Sequence, residues 1–107
     1  MAEFTARGVI DADHPALPGH FPGQPVVPGV VLLDFTLRAL DDALGERVRV
    51  TAVPAVKFLS PLLPGEAFTV TLQVDAAGRS ARFSARTSAA ELAQGRLEFA
   101  PDAADEA

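Results

Sequence analysis

The spacing of hydrophobic positions divides the chain into one long helix and a series of strands. Leu33, Leu37, Leu40 and Leu44 recur at helical spacing, and Gly45 follows them as a typical helix stop. After position 46 apolar and polar residues alternate instead, which is the pattern of strands that bury one face. The alternation is clearest in FTVTLQV and continues through ARFSART and LAQGRLEFA. These patterns predict a helix followed by an antiparallel meander.

The remaining segments complete the predicted fold. Residues 3–10 predict a first strand, and RVRVTAV alternates as far as Pro54, which predicts a sheet edge or a bulge because proline has no N–H for the ladder. The first half of the helix is apolar nearly all round, so we expect it to be surrounded by protein. This helix is the only predicted element that can cover the apolar face of the sheet. The sequence therefore predicts an α+β fold in which an antiparallel sheet wraps around one long central helix.

Composition narrows the class of protein. A chain of 107 residues with 49% hydrophobic residues is long enough for one globular domain, which we place at 1–107. The absence of cysteine excludes disulfides and thiolate metal sites and is compatible with a reducing cytoplasm. The first residues lack the layout of a signal peptide, and the longest apolar run is too short to span a membrane. The net charge of -5 argues against nucleic acid. We therefore expect a cytoplasmic protein with no membrane and no nucleic-acid partner.

A loop rich in proline and glycine lies between the first strand and the helix. It runs from Asp13 to Gly29 and contains five of the nine prolines. Because proline restricts both its own φ and the residue before it, we expect this loop to be stiff and extended. Long ordered loops in small domains usually carry function. Glycine and proline on both sides hold the backbone of His20, whereas His14 is flanked by Asp13 and Pro15 and fits a turn.

Asp34 is an acid inside the apolar helical run VVLLDFTL, and this position has two explanations. A buried carboxylate costs several kcal/mol unless it is paired or protonated, which suggests a function. The alternative is an i,i+4 salt bridge to Arg38 on an exposed stripe of the helix. At the helix start, Gly29 presents amides of partial positive charge, which suit a developing oxyanion. A rigid His20, an acid and free amides together suit proton transfer next to a carbonyl.

Other chemistries find less support in the sequence. Neither histidine belongs to a metal-ligand set such as HxH or HExxH. No serine lies in a GxSxG turn. We therefore expect neither a bound metal nor a serine nucleophile.

Two stretches resemble the 3-hydroxyacyl-acyl carrier protein dehydratases of the FabA/FabZ type, which have the hotdog fold. GHFPGQPVVPGVVLLD matches the family's histidine loop and the acid fourteen residues after the histidine, and VKFLSPLLPGEAFTV resembles the strand–turn–strand segment after the helix. Together they span about Asp13 to Val74. The resemblance implies dehydration of 3-hydroxyacyl thioesters to trans-2-enoyl thioesters in fatty-acid or polyene biosynthesis, without a cofactor.

The resemblance also implies a role for each matching residue. His20 removes the C2 proton of the substrate, and Asp34 assists departure of the 3-hydroxyl as water, directly or through a bound water. The Gly29 amide holds the thioester carbonyl as enolate character builds up. The carbonyl of Val26 accepts a hydrogen bond from the other histidine nitrogen and so fixes its tautomer. In this family the histidine and the acid of one site come from different subunits of a dimer, which implies that a monomer is inactive.

The implied substrate path and partner follow from the same resemblance. The family has an apolar tunnel for the acyl chain along the dimer interface, which makes Phe21, Leu33 and Leu37 candidate lining residues, with ordinary core positions as the alternative. The implied partner is an acyl carrier protein, which is itself acidic, so its association with a chain of net charge -5 needs a local basic patch. The candidates for this patch are Arg38, Lys57, Arg82 and Arg86.

The chain departs from the family pattern, and two other functions stay open. The acid is aspartate, as in dehydratases that also isomerise the double bond, and the short chain without tyrosine resembles dehydratases of aryl-polyene pathways. A hotdog thioesterase is one alternative, although such enzymes usually lack the HFPG loop. The other alternative is a catalytically silent subunit that binds acyl chains or completes a heterodimer with an active dehydratase. The expected assembly is therefore a homodimer, a higher multiple of it, or a heterodimer.

Overall fold

The computed structural model describes residues 2–11 and 26–101, and within them five strands form one antiparallel sheet that packs on one helix. In chain order the elements are β1 (Ala2–Val9), α1 (Gly29–Leu44), β2 (Val48–Phe58), β3 (Ala67–Asp75), β4 (Ser80–Arg86) and β5 (Glu91–Pro101). The predicted helix, first strand and later strands are confirmed. The segments RVRVTAV and AVKFLS contribute to a single strand, β2.

Backbone geometry sets both ends of α1. Pro28 precedes the first helical residue with an extended ψ of 144°, and its carbonyl accepts a hydrogen bond from the Val31 amide at 3.0 Å. At the other end Gly45 has a left-handed conformation with φ 71°, and its N–H donates to the Asp42 carbonyl at 3.3 Å. A side chain is strained at this φ, so glycine is the residue that ends the helix with least cost. The predicted stop at Gly45 is confirmed.

One face of α1 lies on the sheet and the opposite face is open. The helix residues buried against the sheet are Val31, Leu32, Thr36, Ala39 and Leu40. A stripe of residues at i,i+4 spacing is exposed, and its members are Val30, Asp34, Arg38 and Asp42. The prediction that the first half of the helix is surrounded by protein is therefore wrong for the single chain, because one sheet covers only one side of a helix.

The sheet has the strand order β1-β3-β4-β5-β2. β3, β4 and β5 form the predicted meander, but β2 lies beside β5 and not beside β3. The chain after β2 therefore crosses from one edge of the sheet to β3, which lies between β1 and β4. Two backbone hydrogen bonds hold this crossing: the Val27 N–H donates to the Leu62 carbonyl at 2.8 Å, and the Gly65 N–H donates to the Ile10 carbonyl at 2.9 Å.

Alternate side chains of the central strands form the core with α1. The even-numbered positions from Phe68 to Val74 are all buried, as the alternation predicts. Leu40 of the helix is fully buried in the same core, and the Phe35 ring meets the Phe68 ring edge-on with 4.9 Å between centroids. Full burial of such a side chain contributes about 1.5–3 kcal/mol to stability. The sheet and the long helix thus share one apolar core, as predicted.

Pro54 lies within β2, at the edge of the described sheet. The pairing of β2 with β5 shifts register between Val50 and Ala52, and again between Ala52 and Ala55. The missing proline N–H therefore falls where the ladder is already interrupted. Both the edge position and the irregularity predicted for Pro54 are confirmed.

Candidate active site

The start of α1 presents the backbone amides of Gly29 and Val30. Pro28 provides no side-chain cap, and within residues 2–11 and 26–101 neither Gly29 nor Val30 donates its N–H to an acceptor. Amides without partners at a helix start carry partial positive charge. The predicted place of Gly29 at the helix start is confirmed, and its N–H can serve as a donor to an oxygen that gains negative charge.

An apolar hollow of about 580 Å³ lies beside this helix start. Residues 26–30 and Leu32 form one wall, and residues 58–62 form the other. Among these lining residues only Ser60 has a polar side chain. A hollow with apolar walls and backbone donors at the helix start can accommodate an acyl thioester, whose chain is apolar and whose carbonyl accepts a hydrogen bond. We call it the helix-start hollow.

Asp34 lies on the exposed stripe of α1 and forms an ion pair. The Nε of Arg38 donates to the Oδ2 of Asp34 at 3.0 Å, and the side chains of Arg38 and Asp34 are 79% and 61% exposed, respectively. Of the two explanations for this position, the structure therefore has the local i,i+4 salt bridge on an exposed stripe, and Asp34 is not buried within the single chain. An exposed pair of this kind contributes only about 0.3–0.5 kcal/mol to stability. The pair leaves the carboxylate accessible from outside the chain.

The other predicted site residues fall into three groups. His20 and Phe21 lie outside the described residues, so their roles stay predictions. Val26 lines the helix-start hollow together with Gly29, while the role of its carbonyl also stays a prediction. Leu33 and Leu37 are half-buried and pack against the core, which fits the ordinary-core alternative and leaves a tunnel role untested.

Phe58 is not among the residues that the sequence singles out, yet its ring touches Gly29. A Cβ atom added to Gly29 lies only 2.7 Å from Cζ of that ring. Phe58 lies on the inner face of β2, because it pairs with the buried Ala93 of β5, and the polar Lys57 before it in the sequence indicates the same direction. That signal predicts the direction of the side chain but not the residue that it meets.

A second hollow, of about 700 Å³, lies on the outer face of the sheet. Three basic residues from three strands line it, Lys57, Arg82 and Arg96, and Arg82 lies directly opposite Arg96 in the register of β4 and β5. The other polar side chains that line this outer-face hollow are the uncharged Thr71, Gln73, Ser84 and Gln94. Two of the predicted basic candidates, Lys57 and Arg82, therefore meet here.

The remaining basic candidates lie elsewhere. Arg86 is exposed at the end of β4, on the same face as Arg82, because the two are separated by an even number of strand positions. Arg38 lies on the helix in its pair with Asp34. Arg96 is a basic residue of the outer-face hollow that the sequence does not single out.

Comparison with known proteins decides the family. Residues 1–96 match the ApeI-like family, described as ApeI dehydratase. This chain belongs to the ApeI-like dehydratase family.

It is also 30% identical over 73 residues to the 3-hydroxyacyl-[acyl-carrier-protein] dehydratase FabZ of Haemophilus influenzae strain PittEE, an alignment that covers 61% of this chain and 49% of that protein. The FabZ of Chlamydia trachomatis serovar L2 is 29% identical over 107 residues, which cover 89% of this chain and 70% of that protein. The ApeI-like chain spans about half the length of the first of these curated relatives.

Solved structures confirm the hotdog fold. The dehydratase heterocomplex ApeI:P from Xenorhabdus doucetiae is similar with a TM-score of 0.82 at 25% identity, covering 91% of this chain and 86% of that chain. A mutant of the fluoroacetyl-CoA-specific thioesterase FlK is similar with a TM-score of 0.73 at 25% identity, with the same two shares of 91% and 86%. Dehydratases and thioesterases thus share this fold, and the fold alone does not select the reaction.

Proposed function

We propose that this ApeI-like chain dehydrates 3-hydroxyacyl-acyl carrier protein thioesters to trans-2-enoyl thioesters. The observation that carries the proposal is the Gly29 amide at the apolar helix-start hollow, which has no acceptor among the described residues, in a chain of a dehydratase family. A thioester carbonyl that accepts this N–H gains stabilisation as negative charge builds up on its oxygen. The acyl chain then has the apolar walls of the hollow beside it.

The proposed reaction removes water across C2 and C3 of the substrate. His20 takes the proton from C2, and the electron pair left on C2 is delocalised onto the thioester oxygen, which accepts the Gly29 N–H. The pair then forms the C2–C3 double bond as the C3–O bond breaks. The proton that completes the leaving water is delivered through Asp34, directly or by a bound water, and His20 returns its proton to the acid before the next turnover.

We propose that the site is completed by a second chain. Asp34 lies on an exposed stripe with Val30, which is 69% exposed, and Phe58 beside the helix start is 54% exposed. An apolar surface of this kind next to an accessible carboxylate fits a subunit interface. His20 of one chain then meets Asp34 of the other, in a homodimer or in a heterodimer with a related subunit.

The proposed partner is an acidic carrier protein in the cytoplasm. The outer-face hollow, with Lys57, Arg82 and Arg96, supplies the local positive charge that an acidic partner needs on a chain of net charge -5. Within the described residues no helix has the length and apolarity to cross a membrane. Fatty-acid, polyene or aryl-polyene biosynthesis is the proposed setting for this reaction.

A silent subunit is the second candidate function, and one observation favours it. The similar ApeI structure is that of a dehydratase heterocomplex, in which two different chains assemble. In that case this chain binds an acyl chain or completes the site of another subunit. A thioesterase is the third candidate, with the similarity to FlK in its favour.

The test follows the products of a 3-hydroxyacyl thioester on acyl carrier protein by mass spectrometry. The samples are the wild type, His20→Ala, Asp34→Ala and a mixture of the two variants. A shared dehydration site is supported if the wild type forms the dehydrated product, neither variant forms it alone, and the mixture forms part of it. Intact substrate in every sample, from folded dimeric protein, supports the silent subunit, and release of the free acid supports the thioesterase.

A further inference from the structure

Phe58 ends β2 and closes one side of the helix-start hollow. A Cβ atom added to Gly29 lies 2.7 and 2.8 Å from Cζ and Cε1 of the Phe58 ring and 3.2 Å from Cε2. Carbon atoms in contact are normally about 3.5–4.0 Å apart, so a methyl group on this residue requires the tip of the ring to move. The ring therefore occupies the space directly beside the amide that the proposed reaction uses.

The backbone holds both partners of this contact in place. Phe58 pairs with Ala93 in the register of β2 and β5, and the Leu59 N–H after it donates to the Leu92 carbonyl at 2.8 Å. On the other side, the Val27 N–H donates to the Leu62 carbonyl at 2.8 Å, which ties the start of α1 to the segment after β2. Although Phe58 is 54% exposed, these bonds hold the backbones of Phe58 and of the helix start in fixed positions relative to each other.

We infer that Phe58 is a steric wall that excludes substrates branched at C2; this rests on the proposed binding of a thioester carbonyl at Gly29. An oxygen that accepts the Gly29 N–H lies about 2.9 Å from the nitrogen, which places the carbonyl carbon and its substituent C2 within a few ångströms of the helix start. The tip of the Phe58 ring borders this space, since it lies 2.7 Å from the place of a Cβ atom on Gly29. A hydrogen on C2 fits beside the ring, whereas a methyl group on C2 competes with it for space.

The test compares 3-hydroxybutyryl and 2-methyl-3-hydroxybutyryl thioesters of N-acetylcysteamine. In the wild type kcat/KM is expected to favour the unbranched substrate. Phe58→Ala is expected to shift this ratio toward the branched substrate by about 10- to 200-fold, the discrimination that one methyl-sized group provides in an apolar pocket. Phe58→Leu, which keeps an apolar side chain of intermediate size, is the matched control and is expected to retain most of the preference. A loss of stability lowers both rates and leaves their ratio unchanged, so an unchanged ratio in Phe58→Ala overturns the wall.

A binding measurement separates the wall from the proposed reaction. Calorimetry with crotonyl and 2-methylcrotonyl thioesters of N-acetylcysteamine reports the same discrimination without catalysis. A wild type that forms no product but prefers the crotonyl compound, with the preference lost in Phe58→Ala, retains the wall and contradicts the proposed dehydration. The inference is overturned if the wild type and Phe58→Ala show the same preference between the two compounds, or if neither compound binds.

Discussion

The Nε of Arg38 lies 3.0 Å from the Oδ2 of Asp34, one helical turn away on the open stripe of α1. The acid precedes the base by four residues, which is the favourable orientation for a helical pair. This pair and a catalytic role are compatible, because the carboxylate has a partner in the isolated chain and is still accessible to a second one. A group that serves a site between two chains has to be accessible in each of them.

The exposed pair predicts a separation between stability and activity. Asp34→Asn is expected to change the free energy of unfolding by less than about 1 kcal/mol, since surface ion pairs are weak. The same variant is expected to lose about 10²–10⁴ in kcat, the usual contribution of a general acid or base. Arg38→Gln, the control that keeps the carboxylate, is expected to leave stability nearly unchanged as well. Urea unfolding and the dehydration assay measure the two effects, and full activity in Asp34→Asn contradicts the proposed role.

The contact between Gly29 and Phe58 predicts compensation between two substitutions. Gly29→Ala alone is expected to lose about 1–3 kcal/mol of stability, because the new methyl group meets the ring. In a Phe58→Ala background the same change is expected to cost little or to stabilise, since alanine is a better helix residue than glycine. Thermal and urea unfolding of the four proteins of this double-mutant cycle give the coupling energy. If Gly29→Ala lowers the free energy of unfolding equally in both backgrounds, the contact with Phe58 is not the cause of the loss.

The outer-face hollow predicts dependence on the carrier protein. Replacement of Lys57, Arg82 and Arg96 by glutamine is expected to lower kcat/KM for a carrier-bound substrate by about tenfold at low salt, because electrostatic steering is lost. The rate on a small N-acetylcysteamine thioester is expected to stay unchanged, and the salt dependence of the carrier reaction is expected to become flatter. Arg47→Gln removes a charge that does not line this hollow and serves as the control. The carrier docks elsewhere if the triple variant lowers the rates on both substrates equally, or if Arg47→Gln lowers the rate on the carrier-bound substrate as much as the triple variant does.

Two glycines predict stability losses of different origin. A Cβ atom on Gly95 lies 2.5 Å from the Ala55 carbonyl oxygen and 2.8 Å from the Phe83 ring, so Gly95→Ala forces β2 and β5 apart. We expect a loss of about 2–3 kcal/mol from this overpacking. At Gly45 nothing lies within 4 Å of an added Cβ atom, and only the left-handed φ of 71° opposes the change. Gly45→Ala is therefore expected to cost about 1 kcal/mol. Urea unfolding measures the stability of the two variants. A larger loss of stability in Gly45→Ala than in Gly95→Ala is inconsistent with the close approach of β2 and β5.

Local patterns in the sequence determine the elements and the direction of their side chains. The helix stop follows from Gly45 because a left-handed residue ends a helix, and the inward positions from Phe68 to Val74 follow from the two-residue period of a strand. The irregularity at Pro54 follows from the missing N–H. The resemblance carried by the histidine loop and the helix likewise predicts the family that comparison confirms. Each of these depends on neighbouring residues in the chain.

Only the tertiary structure decides which distant residues meet. Alternation in β2 does not say whether its neighbour is β3 or β5, and apolar residues around α1 do not say that a single sheet leaves one stripe open. The exposure of Asp34 and the contact between Phe58 and Gly29 both follow from that packing. Periodicity fixes the direction of a side chain relative to its own element, whereas its partners depend on how elements far apart in sequence pack together.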